Sequence, residues 1–368
     1  MTKKKSELQI AQEETEKIAK KINKKIEALG EKTSDLFERL NSLQDVFDAI
    51  RGVPSEEKLK LDKLKKVRLN WIQQVEKISA EYKTAQVKAI GGGAVGTSAG
   101  IAIVALGPTA AMGVATTFGV ASTGTAISTL SGAAATNAAL AWIGGGTLAA
   151  GGGGMAAGNI FLTLTGPVGW TIASVALLSS GLVFWKSNND KKRLEKIFIS
   201  ISHRDTKSYQ LAIVELNERS DRIMSETELL SKMIGVSKSY GTDYDKMTEQ
   251  QQLQLIAFVN FMYASTQLLV NPILGLQPKY TEKDYIKFLN SIDYSIDNFE
   301  YQSHQTVVVS LANLLYNIDL ETKDKRLLWS SLNKNKEFLE TMHIDKKTFD
   351  LTIIDKVESA LKAKYIIE

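Results

Sequence analysis

Catalysis needs a nucleophile, a base, a metal ligand set or a phosphate cradle, and this chain offers few residues for any of them. It holds three histidines, His203, His304 and His343, and no cysteine. The histidines are far apart in sequence, and none has the H-E-x-x-H spacing of a zinc helix. The run His203-Arg204-Asp205 reads as local charge pairing on a solvated helix face. Without cysteine, disulfides and thiolate metal or redox sites are excluded. The segment Gly91-Gly92-Gly93-Ala94-Val95-Gly96 fits G-x-G-x-x-G, the pattern that lets backbone approach a dinucleotide pyrophosphate. That chemistry requires a strand before the motif and an acidic residue about 20 positions after it. Here a charged helical pattern precedes it, and the next acid is Asp190. No lysine follows nearby, so a Walker A loop is excluded as well. The expectation is a protein with no catalytic residue, no cofactor and no metal, and not an enzyme.

What the sequence does concentrate is the absence of charge. From Ala89 to Trp185 there is no Asp, Glu, Lys or Arg, and this block holds 21 of the 26 glycines. A bilayer interior accepts only backbone that satisfies its own hydrogen bonds, and charge is expensive there. Helices of soluble proteins keep a wet face that collects Lys and Glu. Gly107-Pro108, Ser131-Gly132, Gly151 to Gly154 and Gly166-Pro167 divide the block. Several pieces are then about 18 to 22 residues, near the length of a bilayer-crossing helix.

Glycine spacing adds a second argument. Gly92, Gly96 and Gly100 recur every four residues, as do Gly146, Ala150, Gly154 and Gly158. Each set lines one face of a helix and forms a groove that lets helices approach closely in lipid. Trp170 and Trp185 bracket the last apolar piece, about 22 Å apart along a helix. With Trp142 and Lys186 they are the expected interface residues, since tryptophan with lysine beyond it marks the end of a span. Basic residues lie on both sides, Lys83 and Lys88 before, and Lys186, Lys191, Lys192 and Arg193 after. Both flanks are therefore expected on one side, with two or four crossings.

The flanks must carry this block, and they read as all-α. From about residue 6 to 52, Leu8, Thr15, Ile22, Leu29, Leu36, Leu43 and Ile50 repeat every seven. Gln12, Ala19, Ile26, Thr33, Leu40 and Phe47 form a second series. Gly52-Val53-Pro54-Ser55 breaks the helix. A second runs to about 88 with Leu64, Trp71, Ile78 and Ala85 in one stripe. Leu61, Val75 and Tyr82 form another, which Arg68 interrupts. The short turn implies an antiparallel hairpin whose arms cover each other, in preference to a dimeric coiled coil. After the block, a long helix to about 235 carries the stripe Leu194, Ile197, Ile201, Tyr209, Ile213, Leu216 and Ile223. An apolar helix over about 248–270 and shorter ones over about 281–291, 304–317, 322–340 and 346–364 follow. The expected fold is a long antiparallel helical bundle with a central Gly/Ala-rich hydrophobic hairpin. Its parts are an N-terminal arm (1–88), the block (89–185) and a C-terminal bundle (186–368).

Long helical arms around a Gly/Ala-rich hydrophobic hairpin resemble the plan of α-helical pore-forming toxins. The plan is also similar to apolipoprotein-L-like and colicin-like channel segments. Within the block, the stretch from Ala135 to Gly158 resembles glycine-zipper segments of bacterial membrane-active effectors. The resemblance covers about a quarter of the chain and is compositional. It implies a hairpin shielded in the soluble form and released on assembly. The expected function is therefore membrane insertion, with pore formation or permeabilisation foremost. The expected partners are a lipid bilayer and further copies of the chain. Alternatives are a membrane-anchored scaffold whose arms recruit a helical partner, an adaptor for a membrane-remodelling GTPase, and a block that is simply a buried soluble core. A net charge of +4 without a basic face speaks against nucleic acid. Lysines at the start with no apolar stretch after them suggest cytosolic synthesis without a cleaved signal, followed by membrane association.

Overall fold

A computed structural model describes residues 6–91, 187–270, 279–292, 299–341 and 344–367. Every regular element among them is a helix, and no strand is present. The hydrophobic block beyond Gly91 lies outside the described residues, as do Trp142, Trp170, Trp185 and Lys186.

Helix α1, Glu7–Asp48, opens on a capping box. The Ser6 hydroxyl accepts the Gln9 N–H at 3.2 Å, and the Gln9 amide oxygen accepts the Ser6 N–H at 3.0 Å. Its first seven-residue series is buried at every position from Leu8 to Ile50. Of the second series, Thr33, Leu40 and Phe47 are buried, and the side chains of Gln12, Ala19 and Ile26 lie outside the description. Helix α2, Ser55–Gly91, begins after Gly52, whose φ of +80° makes the turn. Helix α3, Asn188–Ser239, buries its whole expected stripe. It passes through Gly235 because the real stop is Gly241, with φ of +82°, two residues beyond the helix.

Beyond a single 3-10 turn come α4, Glu249–Val270, and α5, Glu282–Ser291. Then follow α6, Phe299–Leu315, α7, Thr322–Lys334, α8, Lys336–Thr341, and α9, Thr352–Ile367. Two of these differ from expectation for a local reason. The pattern over 322–340 splits at Asn335, which is extended and whose side chain accepts the Phe338 N–H at 3.0 Å. The last helix starts at Thr352 instead of about 346. Asp345 and Asp350 accept the N–H groups of Lys347 at 2.7 Å and Thr352 at 2.9 Å, which favours turns over helix.

The buried side chains form two cores. One gathers α1, the start of α2, the later part of α3 and α4. The other gathers α5 to α9 around Leu194, Ile197, Phe198 and Ile201 at the start of α3, with Leu8 of α1. Helix α3, 52 residues and about 78 Å long, belongs to both. The long partner of α1 is thus α3, more than its sequence neighbour α2. The Thr15 and Thr206 hydroxyls lie 3.3 Å apart, and the Arg51 N–H donates to the Thr242 carbonyl at 2.9 Å. Both pairs have the same 191-residue offset, so α1 and α3 run in the same direction. The α1–α2 contacts run in the opposite order. Asp48 meets Lys65 at 2.6 Å, Gln44 meets Arg68 at 2.7 Å, and the Phe37 and Trp71 rings lie 5.2 Å apart.

Candidate functional site

The residues singled out for membrane contact, Gly92, Gly96, Gly100, Gly146, Ala150, Gly154 and Gly158, lie outside the described residues. The structure instead describes what holds the two ends of their segment. On the upstream side is α2, a continuous helix into Gly91, the first residue of the G-x-G-x-x-G match. A helix stands where a dinucleotide site needs a strand. From Trp71 to Gly91 the helix advances about 30 Å toward the end of the fold that holds the start of α1. On the downstream side α3 begins at that same end, since Leu8 shares a core with Leu194 and Phe198. The described chain therefore leaves for the uncharged block and returns from it toward one end of the α1–α3 pair.

The return point is held by charge. The Ser187 hydroxyl caps α3 by accepting the Asp190 N–H at 3.4 Å. Asp190 pairs with Lys323 at 3.1 Å. Arg193, one turn on, donates to both Asp324 and Glu321 at the start of α7. Burial pushes the Asp324 carboxyl up, but the Arg193 hydrogen bonds, the Glu321 N–H and the charges of Arg193 and Lys323 together outweigh that and hold it below the ordinary aspartate value. The Asp324 and Glu321 bonds raise Arg193 in turn. Lys191 and Lys192 stay exposed beside this clamp. In the sequence these basic residues serve only as flanking positive charge that puts both flanks on one side, with no signal for Glu321 or Asp324, which lie more than 120 positions away.

The two described histidines lie on different helices. His203 is exposed on α3, His304 is buried in α6, and His343 lies outside the described residues. Arg204 departs from the expected solvated pairing. It is mostly buried, bonds Asp205, and donates to the Leu314 and Tyr316 carbonyls at the end of α6, where a cation complements the helix terminus. No group of three or more potential metal ligands occurs among the described residues. One cleft of about 230 Å³ opens between the α6–α7 connection and α9. Its walls mix apolar side chains such as Leu315, Ile318 and Leu361 with the polar and charged Asn317, Asp319, Glu358 and Lys362. Lys325 on its rim is already bound to Asp355 and Glu358. It offers room for an apolar group but no nucleophile with a base.

Among the described residues no helix is long and apolar enough to cross a membrane. Comparison with protein-family models, curated proteins and solved structures returned no match.

Proposed function

We propose that this protein is a membrane-inserting effector of the pore-forming or permeabilising kind. The uncharged block enters lipid, and the helical arms shield it until a trigger or oligomerisation releases it. The observation that carries this reading is the run from Ala89 to Trp185 without one charged residue, in a chain whose described helices all carry charge. The arrangement of its ends supports the reading. Because α2 and α3 direct both ends of the block toward one end of the fold, a hairpin or two hairpins entering and leaving one bilayer face fit without rearranging α1 against α3. This agrees with the even number of crossings expected from basic residues on both flanks. Glycine grooves then pack helices within or between copies. The test is dye release from liposomes of defined composition. Release that rises steeply with protein concentration is the expected result. Protein that binds lipid without releasing dye removes pore formation.

A second reading is a membrane-anchored scaffold without permeabilising activity. It is favoured by Leu211, Val214 and Leu229, exposed on the side of α3 away from α1, a surface suited to a helical partner. Fractionation separates the two. A scaffold always pellets with membranes, whereas a triggered effector also exists as dissolved protein.

A further inference from the structure

Helix α2 carries the chain into the uncharged block, and its contact with the rest of the fold differs from that between α1 and α3. Among the described side chains of α2, residues 55–73, the buried ones are Glu57, Leu61, Leu64, Arg68 and Trp71, a regular four-three spacing. Two of the five are ionisable. One Glu57 carboxylate oxygen is bound by Lys60 of the same helix at 2.9 Å, and the other is buried without a partner. Arg68 is 1% exposed. Its guanidinium donates to Asn41 at 3.0 Å, to Gln44 at 2.7 Å and to Thr266 at 3.4 Å, all neutral groups. It reaches a carboxylate only through Gln44, whose amide donates to Asp48 at 2.9 Å. The other Asp48 oxygen is taken by Lys65. Burial pulls Arg68 down to about 10 against the opposing charges of Asp48 and Asp45, so its charged form is penalised where it sits. A buried cation without a paired carboxylate contributes less than apolar side chains of the same volume. Ile22, Leu29 and Leu36 of α1 share one apolar core with Ile213, Leu216 and Ile223 of α3, and of the described side chains of α2 only Leu61 and Leu64 join it.

The attachment point completes the arrangement. The Arg51 N–H donates to the Thr242 carbonyl and the Arg51 carbonyl accepts the Tyr244 N–H, each at 2.9 Å. These bonds clip the end of α1 to the end of α3. Gly52 follows at once, then Val53 and Pro54, and then α2. The end of α1 before Gly52 is fastened to the end of α3, and the described part of α2 after it is held by the mixed seam.

We infer that α2 is a releasable strap: it detaches from α1 and α4 as a unit about Gly52–Pro54 while α1 and α3 remain paired, and Arg68 sets how easily it lets go. The link from this release to insertion of the block rests on the function proposed above, but the release itself does not. Hydrogen exchange on the full chain without lipid reads it directly. Amides of residues 59–71 should exchange at least about 100-fold faster than those of 29–43 and 209–223. Exchange of all three segments in one cooperative step would overturn the inference.

Arg68→Met alone strands the Gln44 amide oxygen and the Thr266 hydroxyl, so the informative variant also carries Gln44→Leu and Thr266→Val. It should slow exchange in α2 by about tenfold or more. Unchanged or faster exchange, with α1 and α3 still protected, counts against Arg68 as the setting element. The chain has no cysteine, so Asp48→Cys with Lys65→Cys can be bridged selectively by a reductant-cleavable bis-thiosulfonate. The tethered protein should release no dye from liposomes until reductant is added. Release at the untethered rate shows that the strap need not open. If the exchange pattern holds but no form releases dye, the strap stands and the permeabilising function falls.

Discussion

Arg68 and Gly52 show how much rests on single side chains here. Arg68 interrupts an apolar stripe in the sequence. The fold buries it among Asn41, Gln44 and Thr266 from two other helices. Gly52 is constrained twice. Its φ is +80°, and a Cβ there would lie 3.0 Å from an Asp245 carboxylate oxygen. The exposed Asp245 side chain can yield, but the backbone conformation cannot. Gly52→Ala should therefore destabilise the fold by roughly 1–2 kcal/mol, seen as a lower urea midpoint with an unchanged slope. Leu36 is fully buried in the α1–α3 core. Leu36→Ala should cost roughly 2–5 kcal/mol in the same measurement. Comparable midpoints for Leu36→Ala and an exposed control such as Leu211→Ala would show that the core is not where the structure puts it.

Among the elements, the pairing of α1 with α3 organises the rest. Two helices running in the same direction cannot be joined by a short turn. The chain between them must travel back, and α2 makes part of that return. Spin labels on otherwise cysteine-free protein test the direction. Labels at Glu14→Cys and Lys207→Cys should be near neighbours, because Thr15 and Thr206 are in contact. Moving both labels 21 residues on, to Asp35→Cys and Glu228→Cys, shifts each by about 32 Å along its helix. Pulsed electron resonance should show the second pair as close as the first. A second distance longer by about 60 Å would mean that α1 and α3 run in opposite directions. Helix α3 contributes several side chains to each core, whereas α1 gives the second core only Leu8, so a kink or break within α3 is expected to loosen the C-terminal helices from α1.

At the scale of the whole molecule, several contacts between distant elements depend on carboxylates. For Asp48, burial is outweighed by hydrogen bonds from Lys65 and Gln44, and its carboxyl is held below its ordinary 3.8. Asp284 is lowered in the same way by Thr281 and Lys364, and Asp324 by Arg193. In Glu358, the Lys325 hydrogen bond is the leading cause of a value below 4.5. A carboxyl with a lowered folded value stabilises the fold above its unfolded value and loses that contribution as pH falls through the folded one. Stability should therefore hold from above about pH 5 and fall progressively below about pH 4. Asp48 couples α1 to α2, so Asp48→Asn should flatten the acid response of α2 exchange while leaving α5 to α9 nearly unchanged. Exchange in α2 that stays as acid-sensitive in Asp48→Asn would place the sensitivity elsewhere.

Periodicity and composition are local properties, and they carried the helical class, the buried stripes of α1 and α3, and the boundaries of the uncharged block. Each of those follows from which residues recur every seven or are missing altogether, so no partner needs to be known. Termination by Gly52 and Gly241 was readable only in part, because Gly30 and Gly235 look alike in sequence yet sit inside continuous helices. The choice of α3 over α2 as the long companion of α1 was not readable, because two amphipathic stripes fit many neighbours and the 191-residue offset is set by three-dimensional packing. For the same reason the burial of Arg68 and the Arg193–Asp324 clamp came from the tertiary fold, since their partners lie 24 to 198 and 131 positions away.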